Sequence, residues 1–316
     1  MKWLSKRSKQ PGWLALNAGA DRFDLVYVKR TPNGRPEIAL CDSYRKEGTD
    51  TETLLRLRKE LNLDQYRCTT VLKFSEYQIH SLDAPNVPAA ELKNAVRWRV
   101  KDILDYPVEQ ATIDVLDVPV DKGGASRNHL VYAVTARNEI IERIVKPFNA
   151  SNVPLEVIDI PAVAQRNIAT LFEPESRGVA MLGFYEECCK LTFTCGGELY
   201  LARRIEISLA QLIDATAERR NELFERIALE LQRSLDNFDR QFSYVSIAKL
   251  LLAPLPQEIG LQQYLASNIY VPVETIDLGA VMDFPAIPEL RHPARQARCL
   301  QTIGAALRDD KGVAAA

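Results

Sequence analysis

Histidine is nearly absent from this chain, with three in 316 residues. That scarcity excludes a histidine-centred metal or acid–base site unless cysteines or carboxylates cluster with it. His80, His129 and His292 have no such company at ligand spacing, so each reads as structural. No apolar run approaches the roughly 20 residues that span a bilayer, and the first residues lack the apolar core of a signal peptide. A cytoplasmic location is therefore expected. Charge of one sign is missing too: 40 Lys and Arg against 42 Asp and Glu leave a formal net charge of -2. With no long basic run beyond the N-terminus, a nucleic-acid role has no support. The six cysteines, Cys41, Cys68, Cys188, Cys189, Cys195 and Cys299, show neither zinc spacing nor a secreted disulfide pattern and are expected to be reduced. Cys188 and Cys189 are neighbours on an expected strand, so their side chains point to opposite faces and do not share a metal. No serine, cysteine or histidine arrangement offers a nucleophile.

What is present is ample core material: 47% of the residues are hydrophobic, enough for two lobes. Strands are expected at Trp13 to Leu16, Phe23 to Lys29 and Glu37 to Tyr44, separated by turns around Gly19 and at Pro32-Asn33-Gly34. A helix at Thr51 to Leu61 and a β-branched strand at Thr69 to Phe74 follow. The same order returns from Val179: strands at Val179 to Leu182, Cys189 to Thr194 and Leu199 to Ile205, then a long helix carrying Leu223, Ile227, Leu231, Leu235, Phe238 and Phe242 on one face, then a strand at Lys249 to Ala253. A helix near Gln257 to Ser267 and a strand at Val271 to Ile276 complete this half. The repeat implies two related α/β lobes across a cleft.

Between the copies lies an extra unit. Pro88 suits a first helical turn and Glu91 favours a helix start. Leu92, Ala95, Val96, Val100, Ile103 and Leu104 form an apolar stripe that ends before Pro107. Trp98 falls on the opposite, polar side, among Asn94, Lys101 and Asp105. Either it packs under a neighbouring part of the chain or it meets a partner. Strands at Thr112 to Val118 and Leu130 to Thr135, a hairpin loop at Asp121 to Asn128, and a helix at Arg137 to Ala150 fill out the unit. A strand at Leu155 to Ile160 and a helix from Pro161 to Leu171 return to the first lobe, and a helix at Ala297 to Leu307 closes the chain. At the N-terminus, Lys2, Trp3, Leu4, Lys6 and Arg7 combine an aromatic with positive charge, as an anionic membrane surface favours. A plain ragged basic tail reads the same way.

The segments AAELKNAVRWRVKDILDYPVEQATIDVLDV at 89 to 118, LVYAVTARNEIIERIVKPFNASNVPLEVIDIPAVAQRNIA at 130 to 169 and LELQRSLDNFD at 229 to 239, in this order, resemble the PilM family of type IV pilus assembly proteins. The likeness is greatest to its MshI branch, from mannose-sensitive haemagglutinin (MSHA) pilus biogenesis, and it covers nearly the whole chain. It implies an actin-like, FtsA-type duplicated α/β fold with a small inserted α+β subdomain. The implied division is a basic tail at 1–10, a first lobe at 11–84 and 153–176, an inserted subdomain at 85–152, a second lobe at 177–290, a returning helix at 291–310 and a disordered tail at 311–316. The implied partner is the cytoplasmic tail of a PilN-like inner-membrane protein, of the MshJ type, beside other pilus assembly components. Arg97, Trp98 and Lys101 are the expected partner contacts, and the protein would sit at the inner membrane through its partners.

The family's first phosphate turn carries an acidic residue and a lysine. Here ALNAGADRFD keeps Gly19 but has Asn17 for the acid and Asp24 for the lysine. Losing one charge beside magnesium and adding one beside phosphate both weaken nucleotide chemistry. The second turn, MLGFYEECCK, keeps Gly183 but has Met181 in the acidic position and bulky or acidic residues after it. The adenosine motif's paired glycines are Ala253 and Pro254. A non-catalytic scaffold without cofactor is the expectation. The alternative is an ATP-binding switch or slow ATPase that uses Asn17, Gly19 and Gly183 for ATP and magnesium; under the first reading these glycines serve turns with positive φ.

Overall fold

The computed structural model describes residues 9–31, 34–120 and 129–309. The membrane-facing residues expected at Lys2, Trp3, Leu4, Lys6 and Arg7, the Asp121 to Asn128 loop, Pro32-Asn33 and the tail from Lys311 lie outside the described residues.

The first lobe opens with antiparallel strands β1 (Trp13–Ala18), β2 (Arg22–Arg30) and β3 (Pro36–Arg45). Their alternation sorts side chains to two faces. Leu14, Leu16, Phe23, Leu25 and Tyr27 pack with Leu54 and Leu57 of helix α1 (Asp50–Leu61), while Ala15, Val26, Val28 and Ile38 enter a second core. Helix α1 starts at a capping box in which Thr49 and Glu52 satisfy each other's backbone amides. Strand β4 (Arg67–Val71) then joins β1 in parallel.

An inserted unit follows: β5 (Gln78–Asp83), α2 (Ala89–Val100), β6 (Ala111–Asp117), β7 (Leu130–Arg137) and α3 (Asn138–Ser151), with sheet order β5-β7-β6. Strand β8 (Leu155–Asp159) completes the first sheet in the order β3-β2-β1-β4-β8, and α4 (Pro161–Ala169) crosses toward the second lobe. That lobe comprises β9 (Gly178–Phe184), β10 (Cys189–Cys195), β11 (Glu198–Ile205), α5 (Leu209–Ile213), α6 (Ala217–Gln241), β12 (Ile247–Leu252), α7 (Leu261–Asn268) and β13 (Val273–Thr275). Its sheet order, β11-β10-β9-β12-β13, repeats the first lobe's topology. On α6, Leu223, Ile227, Leu231, Leu235 and Phe238 are buried as their spacing requires, with Phe238 stacked on Phe193 at 4.7 Å between centroids.

Helix α8 (Pro293–Ala306) returns to the first lobe and packs on α4. Gly304 allows this approach, because a Cβ there would run into the Ala164 carbonyl. The end of the helix is clamped by Arg308 to Asp159 at 2.7 Å and by Arg30 donating to the Leu307 carbonyl at 2.8 Å.

Three local expectations change. Helix α2 stops at Val100 instead of running to Leu104, because the amides of Ile103 and Leu104 both turn back to the Val100 carbonyl. Ile103 is left 47% exposed. Strand β4 ends at Val71, and a separate strand, β5, forms where the polar sequence QIHSLD gave no strand signal; its pairing with β7 creates it. Helix α7 begins only at Leu261, after Gly260 at φ 83°.

The inserted unit touches both lobes. Ala136 shares a core with Leu72, Phe74 and Ile160 of the first lobe and with Cys188 and Leu199 of the second. Tyr132 donates to the Tyr200 carbonyl at 2.9 Å, and Tyr244 to that of Pro119 at 2.8 Å. No helix among the described residues is long and apolar enough to cross a membrane.

Candidate functional site

Each five-stranded sheet has one place where the chain leaves two neighbouring parallel strands in opposite directions, and crevices form at such switch points. In the first lobe it lies between the ends of β1 and β4. A cavity of about 210 Å³ opens there, lined by Asn17 and Ala18 at the end of β1 with Gly19 after it, by Thr70, Val71 and Lys73 from β4 onward, and by Arg143, Ile144, Pro147 and Phe148 of α3. It therefore lies between the first lobe and the insert. Its charged wall holds Lys46 on Asp50 at 2.7 Å and Arg143 on Glu76 at 2.6 Å. Lys73 makes three cations against two carboxylates. In the second lobe a cavity of about 450 Å³ lies beyond β9 and β12, lined by Phe184, Ala253, Pro254, Leu255, Pro256 and Leu261. Glu258 and His292 flank it, and its lining has no Lys or Arg.

The expected nucleotide residues fall on both lobes, Asn17 at the end of β1 with Gly19 after it, and Gly183 on β9. Asn17 and Gly19 line the first cavity and Gly183 lines neither. The positive-φ reading of these glycines is corrected as well, since neither has positive φ. The Gly19 amide donates to the Arg22 carbonyl at 2.8 Å, closing the β1–β2 turn. Gly183 is inside β9, and the volume beside it is taken: a Cβ would collide with Gln165 Oε1 and lie 2.9 Å from the Tyr185 hydroxyl.

Gln165 organises that filling. It lies on α4, and its Nε2 donates to the carbonyls of Met181 and Lys190 at 2.7 and 3.0 Å and to Thr192 Oγ1 at 2.9 Å, while Tyr185 donates to its Oε1 at 2.8 Å. The Tyr185 ring lies 4.8 Å from Phe74 of the first lobe, so the second glycine turn packs across the lobe junction. Burial pushes the Tyr185 hydroxyl pKa up. Next to it, Lys190 is 2% exposed, and burial holds its ammonium down at about 8. A single glutamine in the apolar run PAVAQ was the sequence signal for this network; the lysine gave none. Cys188 and Cys189 face opposite sides, in separate cores.

Asp24 does not line the first cavity. Its carboxylate accepts from the Ser43 hydroxyl and sits 3.6 Å from Arg22, so its charge is spent within the sheet. On α2, Trp98 is 71% exposed, so it does not pack beneath another part of the described chain. Lys101 Nζ lies 5.8 Å from its ring centroid. Arg97 turns inward and donates to the carbonyls of Val108 and Ala111 at 2.7 and 3.5 Å, tying the helix to the start of β6.

No family model and no curated protein matches the sequence. Among solved structures, the chain is similar to one described as the PilM-PilN type IV pilus biogenesis complex, with a TM-score of 0.70 and 19% identity over 96% of this chain and 98% of that one. It is also similar to the cytoplasmic domain of EpsL, an inner membrane component of the type II secretion system of Vibrio cholerae (TM-score 0.48, 12% identity, 94% and 95% covered). A third likeness is to a Bacteroides thetaiotaomicron protein with actin-like ATPase fold and unknown function (TM-score 0.47, 11% identity, 90% and 96% covered). With its two topologically matched lobes and an α+β insertion, the chain has the actin-like ATPase fold.

Proposed function

We propose that this chain is a non-catalytic scaffold of type IV pilus assembly, of the MSHA type, that holds the cytoplasmic tail of a PilN-like (MshJ-type) inner-membrane protein and works at the cytoplasmic face of that membrane. The observation that supports the non-catalytic part is the filled volume beside Gly183, which Gln165 and Tyr185 occupy at the turn that the resemblance aligns with the family's second phosphate turn. The acid-to-amide change at Asn17 and the apolar Met181 act in the same direction, removing charge that would organise magnesium. The tail's seat in this reading is the cavity between the first lobe and α3. Its apolar Phe148 and Pro147 beside Lys73 and Arg143 suit an extended peptide better than a compact anion. The likeness to a PilM-PilN complex over nearly the full chain supports the choice of partner.

One observation favours a second reading, an ATP-binding switch: the cavity beyond β9 and β12 is open and large enough for a base and ribose. A thermal-unfolding scan separates the two, because a ligand that prefers the native state raises its stability by mass action. Millimolar magnesium-ATP is expected to leave the midpoint unchanged, while a synthetic peptide of the partner's cytoplasmic tail raises it. A saturable rise with ATP would reverse the order.

Trp98, with Lys101 beside it, is a further partner contact in this reading, whereas Arg97 contributes by holding α2 in place. Trp98→Ala is expected to change stability by less than about 0.5 kcal/mol, since the ring is exposed, and to weaken peptide capture several-fold in a pull-down. Capture equal to wild type would remove Trp98 from the interface.

A further inference from the structure

The sheet edges of this molecule are treated unequally. Strand β3 carries a register shift against β2 and is bridged to Asp283. Strand β11 has a register shift, and Tyr132 caps the Tyr200 carbonyl on it. Strand β8 has a shift against β4 and carries Glu156, paired with Arg67; β13 has only three residues. Strand β6 is lined by Asp114 and Asp117, which pair with Lys93 and His129, and its first carbonyl is met by Arg97. Short strands, bulges, charges and covering side chains are how proteins blunt an edge.

Strand β5 has almost none of these. Its six residues pair with β7 in unbroken register from Gln78↔Thr135 to Asp83↔Leu130. It holds no proline and no lysine, and its one charged residue, Asp83, is the last. Among the described residues, no backbone group outside the β5–β7 ladder bonds to Gln78 through Leu82. The edge away from β7 is thus a row of amides and carbonyls whose spacing only another extended chain matches.

Its position narrows the occupant. Lys73 and Glu76, which line the first-lobe cavity, lead through Tyr77 into Gln78. At the other end Arg99, next to Trp98, donates to the Asp83 carbonyl at 3.2 Å. The edge joins the cavity to the Trp98 helix over six residues, roughly 20 Å of extended chain.

We propose that the partner's tail binds by strand addition: it leaves the cavity as an extended segment and pairs with the free edge of β5, so that main-chain hydrogen bonds supply affinity and the cavity supplies selectivity. This rests on the scaffold reading above and specifies how the tail is read.

The test uses the full-length protein and three synthetic tail peptides: one unmodified, and two with N-methyl groups on alternate residues in opposite phases. Strand addition uses every second amide, so one phase is expected to lose at least tenfold in affinity by calorimetry while the other stays within about threefold. Amides in 78–82 of the protein should gain hydrogen-exchange protection with the unmodified peptide. Equal affinities in both phases, with no new protection in β5, would overturn strand addition while leaving the scaffold standing. An unmodified peptide that does not bind at all would overturn both.

Discussion

Lys190→Met is expected to make the protein more stable at pH 7, by roughly 3 to 4 kcal/mol at most. Lysine at this position is 2% exposed, and its ammonium, ordinarily titrating at 10.5, is held down to about 8, chiefly by burial, with the Cys188 thiol acting in the opposite sense and Arg204 adding like-charge repulsion. A gap of about 2.5 units at roughly 1.4 kcal/mol per unit gives the figure. The sign follows from proton counting. Between about 8 and 10.5 the unfolded chain holds a proton that the native amine has released, so stability from this group rises with pH across that window and is lost as pH falls through 8. Below 8 the native state carries the full cost of a buried ammonium. Methionine has nearly the same length and volume and carries no charge.

The thiols complicate a single pH profile, because burial pushes Cys188 up to about 11 and Cys68 up to about 12. Their ordinary value is 9.0, so above it the unfolded chain releases protons that the native state keeps, and stability falls. The comparison that isolates Lys190 is therefore the difference between wild type and variant at each pH, measured by urea denaturation. That difference should be at its full value at pH 7, fall between about pH 8 and 10.5, and approach zero only above about pH 10.5. A variant no more stable than wild type at pH 7 would mean that the ammonium has a compensating partner.

Much of the architecture could be read from local chemistry. Alternation at Leu14, Leu16, Phe23 and Leu25 marks a strand pair whoever its neighbours are, and the α6 stripe from Leu223 to Phe238 admits one burial geometry. Gly196 and Gly197, both at positive φ, form the hairpin turn their dipeptide predicts. The order of strands and helices, repeated, carried the two-lobe fold. Strand β5 was hidden because its residues are a mixture of polar and apolar with no clear phase, and only pairing with β7 orders them. The end of α2 depended on two amides sharing one carbonyl, which no periodicity reports.

The candidate site divides in the same way. That MLGFYEECCK places Phe184, Tyr185, Glu186 and Glu187 directly after its glycine is visible in the letters. That Gln165, 18 residues earlier in sequence than Gly183, fills the space beside it is a tertiary fact. Trp98 gave the right geometric signal, an aromatic on a polar face, but exposure had to come from the fold. The partners of Asp24 were not legible in the letters: a charge aligned with a functional lysine also answers to its nearest neighbours, here Ser43 and Arg22.

Gln165→Leu is expected to cost about 4 kcal/mol, the largest loss for a near-isosteric change at the junction. One primary amide meets four groups: its two N–H hydrogens are shared among the carbonyls of Met181 and Lys190 and Thr192 Oγ1, and its Oε1 accepts from the Tyr185 hydroxyl. Leucine fills similar volume and serves none of them. Each buried group left without its partner costs about 1 kcal/mol or more, and part of the loss is shared because both carbonyls belong to paired strands. Tyr185→Phe removes only the bond to Oε1 and should cost about 1 kcal/mol, so the two variants bracket the network. Denaturant midpoints with unchanged slopes would read out both. Tail-peptide affinity of folded Gln165→Leu should match wild type, because Gln165 does not line the first-lobe cavity. A cost below about 1 kcal/mol would mean that the junction is held closed by the Tyr185–Phe74 packing instead of by the amide. Loss of peptide binding in a well-folded variant would mean that the closed junction and the peptide groove are one coupled unit.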